Sequence, residues 1–194
     1  MIVSFTELQA HEKRILQFSD VNRAATLFHN ANPRMEKITP IDFRDKDVLS
    51  FFRALQEHEV KYLLVGGFAM AFHGYIRATH DLDLWIKDNP ENIQAFKQAL
   101  IERGVKGVES MRSNEWAAGF TEFFVGDPGF KVEPLKSLKT LRALDFDICY
   151  SRAADGTFQD ISFKVIHAKD LLKEKQGINR PKDQGDIEFL KGIS

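Results

Sequence analysis

The segment GGFAMAFHGYIRATHDLDLWI, residues 66–86, constrains this chain more than any other. It opens on a glycine pair that closes the β-rich run VKYLLV, and it ends on DLDLWI, whose alternation reads as a strand. Residues two apart on a strand share a face, so Asp81 and Asp83 project together while Leu82 and Leu84 enter the core. Neighbouring carboxylates repel each other and lose hydration, a cost that a cation, a proton or water must offset. A hard divalent ion such as Mg²⁺ takes carboxylate oxygens and keeps substrate phosphate in its shell. The glycines permit positive φ and close backbone approach, and at a helix start they let N–H groups face a phosphate.

The pattern around this segment is regular. In DKDVLSFFRALQEH, Val48, Phe51, Phe52 and Leu55 recur at helical spacing behind Asp45, which predicts a capped helix where the compact domain begins. The order is then helix, strand, glycine turn, and a short helix ending at Gly74. NPENIQAFKQALIERG reads as a helix with Ile93, Phe96 and Leu100 inward, and FTEFFVGDPGFKVEPL as a hairpin. The less regular SLKTLRALDFDICYSRA precedes a late strand ISFKVI, a helix AKDLLKEKQ and a last helix opened by Pro181. Strands and helices mix in an α/β (α+β) arrangement, and the short hairpin calls for a mixed sheet flanked by helices.

Upstream, HNANPRMEKITP has two prolines and little apolar periodicity, which marks a linker. Before it, FTELQAHEKRILQF forms a short amphipathic helix through Leu8, Ile15 and Leu16, with Ser4 or Thr6 as cap. The expected division is an amino-terminal extension and linker over 1–40 and a domain over 41–194. A chain beginning at Met35 is expected to stay soluble with its thermal midpoint nearly unchanged.

A length of 194 residues suits one substantial core. Lys plus Arg total 27 against 28 for Asp plus Glu, which excludes broad charge-driven coating of nucleic acid. No apolar run approaches the roughly 20 residues that span a bilayer, and the first residues lack a secretion signal, so a cytoplasmic location with no membrane partner is expected. The single cysteine, Cys149, has no partner for a disulfide or a zinc cluster and reads as a small buried hydrophobe. No Walker loop and no GxGxxG element is present, which leaves kinase-like and dinucleotide-binding readings without support.

Glycines that admit a phosphate and paired acids that hold its metals are the two parts that nucleotidyl transfer requires. Gly66-Gly67, the stretch Phe68 to His80, and Asp81-Leu82-Asp83-Leu84 resemble the signature of the DNA polymerase beta-like nucleotidyltransferases, in particular their small bacterial members, the minimal nucleotidyltransferases and abortive-infection toxins. The tail VIHAKDLLKEKQGINRPKDQGDIEFL is similar to theirs as well, with a lysine on one helix, an arginine in the loop, and Lys-Asp entering the next helix. The resemblance spans roughly Asp45 to Leu190. It implies a nucleotidyltransferase-like fold, two Mg²⁺ ions, an NTP substrate, and in-line attack on its α-phosphate by a protein or small RNA acceptor. It also implies membership of a toxin–antitoxin pair, with the partner as a binding protein.

Several residue roles follow from that resemblance. The third metal carboxylate lies on a later strand, where Glu133 is preferred and Asp147, paired with Asp145 in ALDFDIC, is the alternative. Asp81, Asp83 and Glu133 are thus the metal ligands and catalytic residues, and Gly66, Gly67, Arg77 and Lys175 the nucleotide-binding ones. Pro134 cannot donate to a ladder, so the Glu133 strand ends there or lies at an edge. His73 and His80 read as packing or turn residues, and Arg180, Lys182, Asp183 and Asp186 as caps and salt bridges. The competing reading is a non-catalytic partner-binding or antitoxin module that keeps the fold.

Overall fold

Helix α2 (Lys46–Glu57) starts behind Asp45, whose side chain accepts from the Asp47 N–H, and it buries Val48, Phe51, Phe52 and Leu55 as the spacing predicts. The structure, a computed structural model, describes residues 5–111 and 121–194. Among them are the strands β1 (Tyr62–Leu64), β2 (Asp81–Ile86), β3 (Phe123–Gly126), β4 (Gly129–Leu135), β5 (Ala154–Phe158) and β6 (Ile161–Val165). They form one sheet in the order β3-β4-β2-β1-β6-β5. The pairs β2/β4 and β1/β6 are parallel and the other three antiparallel, so the sheet is mixed, as the hairpin required. The other helices among these residues are α1 (Phe5–Ala31), α3 (Gly66–His73), α4 (Pro90–Glu102), α5 (Phe146–Ser151), α6 (Ala168–Ile178) and α7 (Gln184–Ile193). None is long and apolar enough to cross a membrane.

Strand β2 lies in the interior of the sheet, between β1 and β4. Its Leu82, Leu84 and Trp85 are wholly buried while Asp81 and Asp83 stay partly open, so the alternation read from DLDLWI holds. Strand β4 runs through Pro134, which is paired with Leu84 of β2. The β3 pairing ends opposite Val132, so beyond it β4 has an open side and the missing N–H of proline costs no ladder bond there. Strand β5, ADGTF, carried no sequence signal because Ala, Asp and Gly are poor strand formers. Pairing with β6 supplies the register instead, and the Phe163 ring occupies the space beside Gly156, where an added Cβ would meet it at 2.2 Å.

The amino-terminal helix differs from expectation. It runs 27 residues rather than the short stretch that FTELQAHEKRILQF suggests, Thr6 falls inside it, and Ser4 lies outside the described residues. Ile15 and Phe18 are buried in the common core, with Phe18 edge-on to Phe68 of α3 at a centroid distance of 5.3 Å. The Arg14 guanidinium donates to the Phe72 carbonyl, and the Ser19 hydroxyl accepts from the Phe43 N–H. The periodicity was hard to read because the inward face mixes Ile15 and Phe18 with buried Ser19, Asn22 and Thr26, and the polar groups of Ser19 and Asn22 bond instead of breaking the contact. This segment packs on the domain.

Candidate active site

The parallel pairing of β2 with β4 sets Asp83 opposite Glu133 and Asp81 opposite Lys131. One carboxylate oxygen from each of Asp81, Asp83 and Glu133 lies within 4.8 Å of the others. The three acids therefore converge through strand register and not through any loop. Thr79, just before β2, donates its hydroxyl to Asp81 Oδ1 at 2.7 Å.

The glycine pair is built into this cluster. Gly66 has φ +57°, and a Cβ there would lie 1.7 Å from Asp83 Oδ2, so no other residue fits without moving the carboxylate. Helix α3 starts at Gly66, which puts its positive end beside the acids, and the Gly67 N–H donates to the Asp83 carboxylate. We expect Gly66→Ala to destabilise the fold by about 2 kcal/mol or more through left-handed strain and displacement of Asp83. A thermal melt checks this, and an unchanged midpoint would show that the turn relaxes freely.

Partial burial pushes the Asp83 carboxyl up to about 7, and the charges of Asp81 and Glu133 push the same way against Lys175 and the Gly67 N–H. Burial and Asp81 likewise raise Glu133, opposed by Lys131. The all-oxygen donor set, short of positive charge at the point where the three carboxylates meet, suits a hard divalent cation.

Opposite the acids stands a wall of cations on a buried frame. Lys175 on α6 donates to Asp183 Oδ1 and Asp186 Oδ2, both at 2.8 Å, and all three side chains are within 5% of fully buried. Arg77 makes a two-pronged pair with Asp186 at 3.0 and 2.9 Å, and Arg180 makes another with Asp183 at 2.5 and 3.2 Å. Burial works against ionisation of Asp183, yet the bonds from Arg180 and Lys175 outweigh it and bring the carboxyl down to about 2. Asp186 is lowered in the same way, burial being overcome by Arg77 and Lys175. Three cations thus share two anions and leave one positive charge over, facing the cluster.

One cavity of about 300 Å³ is lined by Gly66, Gly67, Arg77, Asp81, Asp83, Glu133 and Lys175 together. The preferred metal and nucleotide residues read from the sequence are all among its lining. A chain with paired acids, a glycine turn and a cationic wall around one cavity invites comparison with known proteins. No protein-family model matches the chain, and no curated protein matches it. Among solved structures, it is similar to a Thermotoga maritima protein provisionally described as a nucleotidyltransferase, with 14% identity, a TM-score of 0.48, and coverage of 76% of this chain and 91% of that one. That likeness concerns the fold alone.

Asp147, the alternative third carboxylate, is on α5, where it is exposed and held by Lys87 at 2.6 and 2.8 Å. Asp145 caps its own turn by accepting from the Arg142 N–H. Neither lines the cavity. His73 bonds the Ile166 carbonyl and His80 packs on His29, in line with packing roles. Cys149 is buried, as the sequence reading expects.

Sequence reasoning passed over several contributors. Arg180 and Lys182 line the cavity, and Asp183 and Asp186 carry its cations, although their charge pattern reads equally well as surface capping. Glu174, next to Lys175, is buried and accepts the N–H groups of Lys139 and Thr140 at 2.7 and 2.8 Å, holding a loop that forms another wall. Nothing in a Glu-Lys pair on a helix distinguishes it from a solvated face.

Proposed function

We propose that this chain is a divalent-metal-dependent nucleotidyltransferase that moves a nucleoside monophosphate from an NTP to a hydroxyl of a protein or of a small RNA end, releasing pyrophosphate. The observation that carries this reading is the convergence of Asp81, Asp83 and Glu133 against the Gly66 turn, inside a cavity walled by cations. Asp81, Asp83 and Glu133 would hold the divalent metal, read as two Mg²⁺ ions, which would supply activation of the attacking hydroxyl and neutralisation of the pyrophosphate charge. Gly66 and Gly67 let the Asp83 carboxylate and the Thr79 side chain close directly on the turn, and both line the cavity in which a phosphate would sit. Arg77 and Arg180, aimed by Asp186 and Asp183, together with Lys182 and Lys139, offset the triphosphate charge. The near-zero net charge favours a locally recognised acceptor over an extended nucleic-acid backbone.

Incubation of the full chain with Mg²⁺ and α-labelled nucleotides in a lysate is expected to move label onto one macromolecule, whose class nuclease or protease treatment reveals. Failure of all four nucleotides to bind would leave the non-catalytic reading standing. Glu133→Gln should lower transfer by about 100-fold or more, since it removes a ligand charge. Asp147→Asn should leave transfer within about twofold, because an exposed ion pair with Lys87 contributes little. Reversal of these two effects in steady-state assays would relocate the third ligand.

A further inference from the structure

Asn22 lies in α1 and is 1% exposed. Its Oδ1 accepts from the backbone N–H of Thr79 at 3.0 Å, 57 positions along the chain, and its Nδ2 donates to the Ile41 carbonyl at 3.2 Å. Both ends of the amide are in use, one as acceptor and one as donor, so the side chain has a single satisfied orientation. Thr79 passes the constraint on, because its hydroxyl donates to Asp81 Oδ1. On another side Thr79 abuts Gly67, where an added Cβ would fall 2.7 Å from the Thr79 Cβ. Thr79 is therefore confined by α1 at its backbone and by the glycine turn at its side chain. Its hydroxyl fixes which way the Asp81 carboxylate presents its remaining lone pairs.

We propose that Asn22 is a positioning residue for Asp81, acting through Thr79, so that the amino-terminal helix is a working part of the carboxylate site. The inference rests on the reading of Asp81, Asp83 and Glu133 as holders of a divalent cation. Partners of this kind, one bond removed from the metal, govern ligand orientation and carry about 10- to 100-fold in metal affinity. A bond that only docked α1 would show in stability and leave metal affinity untouched.

The test is calorimetric titration of Mn²⁺ into the full-length chain, with label transfer measured alongside. Thr79→Val keeps the side-chain shape without the hydroxyl and should weaken Mn²⁺ binding about tenfold, while Thr79→Ser should stay within about twofold of wild type. Asn22→Ala should weaken binding about fivefold, and combined with Thr79→Val it should be no worse than Thr79→Val alone, because both act along one chain. Wild-type affinity in Thr79→Val or in Asn22→Ala, or full additivity in the double variant, overturns the proposal. If Asn22→Ala does not fold, Asn22→Leu takes its place, filling a similar volume with neither polar end. It should weaken Mn²⁺ binding to the same extent, and wild-type affinity in it overturns the proposal. A wild-type chain that binds no Mn²⁺ defeats the metal reading and the inference with it, whereas binding that every variant matches defeats the inference alone.

Discussion

Asp83→Asn is expected to abolish nucleotidyl transfer while raising the thermal midpoint of the metal-free protein at about pH 8. The loss of activity follows from removing a ligand charge worth several kcal/mol in the transition state, at least about 1000-fold in rate. The gain in stability has a separate cause. Burial and the charges of Asp81 and Glu133 raise the folded-state pKa of Asp83 from 3.8 to about 7, so the fold favours the protonated form. The contribution of this group to stability is full below the unfolded value and is lost as pH rises from about 4 to about 7, an effect on the order of a few kcal/mol. Asparagine is always neutral and keeps an oxygen to accept from the Gly67 N–H, so it escapes that loss. Wild type and variant should therefore have similar midpoints near pH 4 and diverge towards pH 8, the variant being the more stable. Saturating Mn²⁺ should close the gap by stabilising wild type alone. A variant less stable than wild type at every pH would mean that Asp83 is already compensated in the fold. Turnover that survives the substitution would end the catalytic assignment.

The pair Asp81 and Asp83 was legible in the sequence because a strand has period two, and one glance at DLDLWI places both acids on one face. The glycine turn was legible for a similar reason: positive φ and close approach leave few other residues, and Gly66 meets both conditions. Glu133 was harder, since its place depends on a parallel register between strands some fifty residues apart, which no local pattern encodes. Pro134 neither ends β4 nor puts it at the sheet edge, because β3 stops early and gives this interior strand an open side. The cationic frame was invisible for a different reason. Lys175, Asp183 and Asp186 have the spacing of ordinary helix-surface charges, and only the packing of α6 on α7 takes them out of water. The same holds for Asn22, whose role exists only once α1 crosses the loop before β2.

A chain beginning at Met35 is expected to lose its cooperative fold, contrary to what the linker-like HNANPRMEKITP suggests. The linker is real as a break in helix, since α1 stops at Ala31 and α2 starts at Lys46. A break in secondary structure is nevertheless no measure of what lies upstream. Truncation would remove Ile15 and Phe18, both essentially without solvent exposure, and bare the Phe68 ring against which Phe18 packs edge-on. Each such side chain carries about 1.5–3 kcal/mol of burial, so the two lost and the one newly exposed together amount to roughly 4.5–9 kcal/mol. A domain of this size is stable by about 5–15 kcal/mol in all. The removal would also strip Ser19 from the Phe43 N–H and Asn22 from the Thr79 N–H, loosening the approach to β2 at Asp81 and Asp83. We therefore expect the shortened chain to be insoluble, or soluble without a sharp thermal transition and without Mn²⁺ affinity. Recovery of a soluble chain whose midpoint lies within about 3 °C of the full-length protein would show that the contacts of α1 are incidental, since at this size about 1 kcal/mol moves the midpoint by that much. Adding residues 5–34 back as a separate peptide offers a sharper reading, because a helix that completes the core should restore the transition in proportion to its concentration.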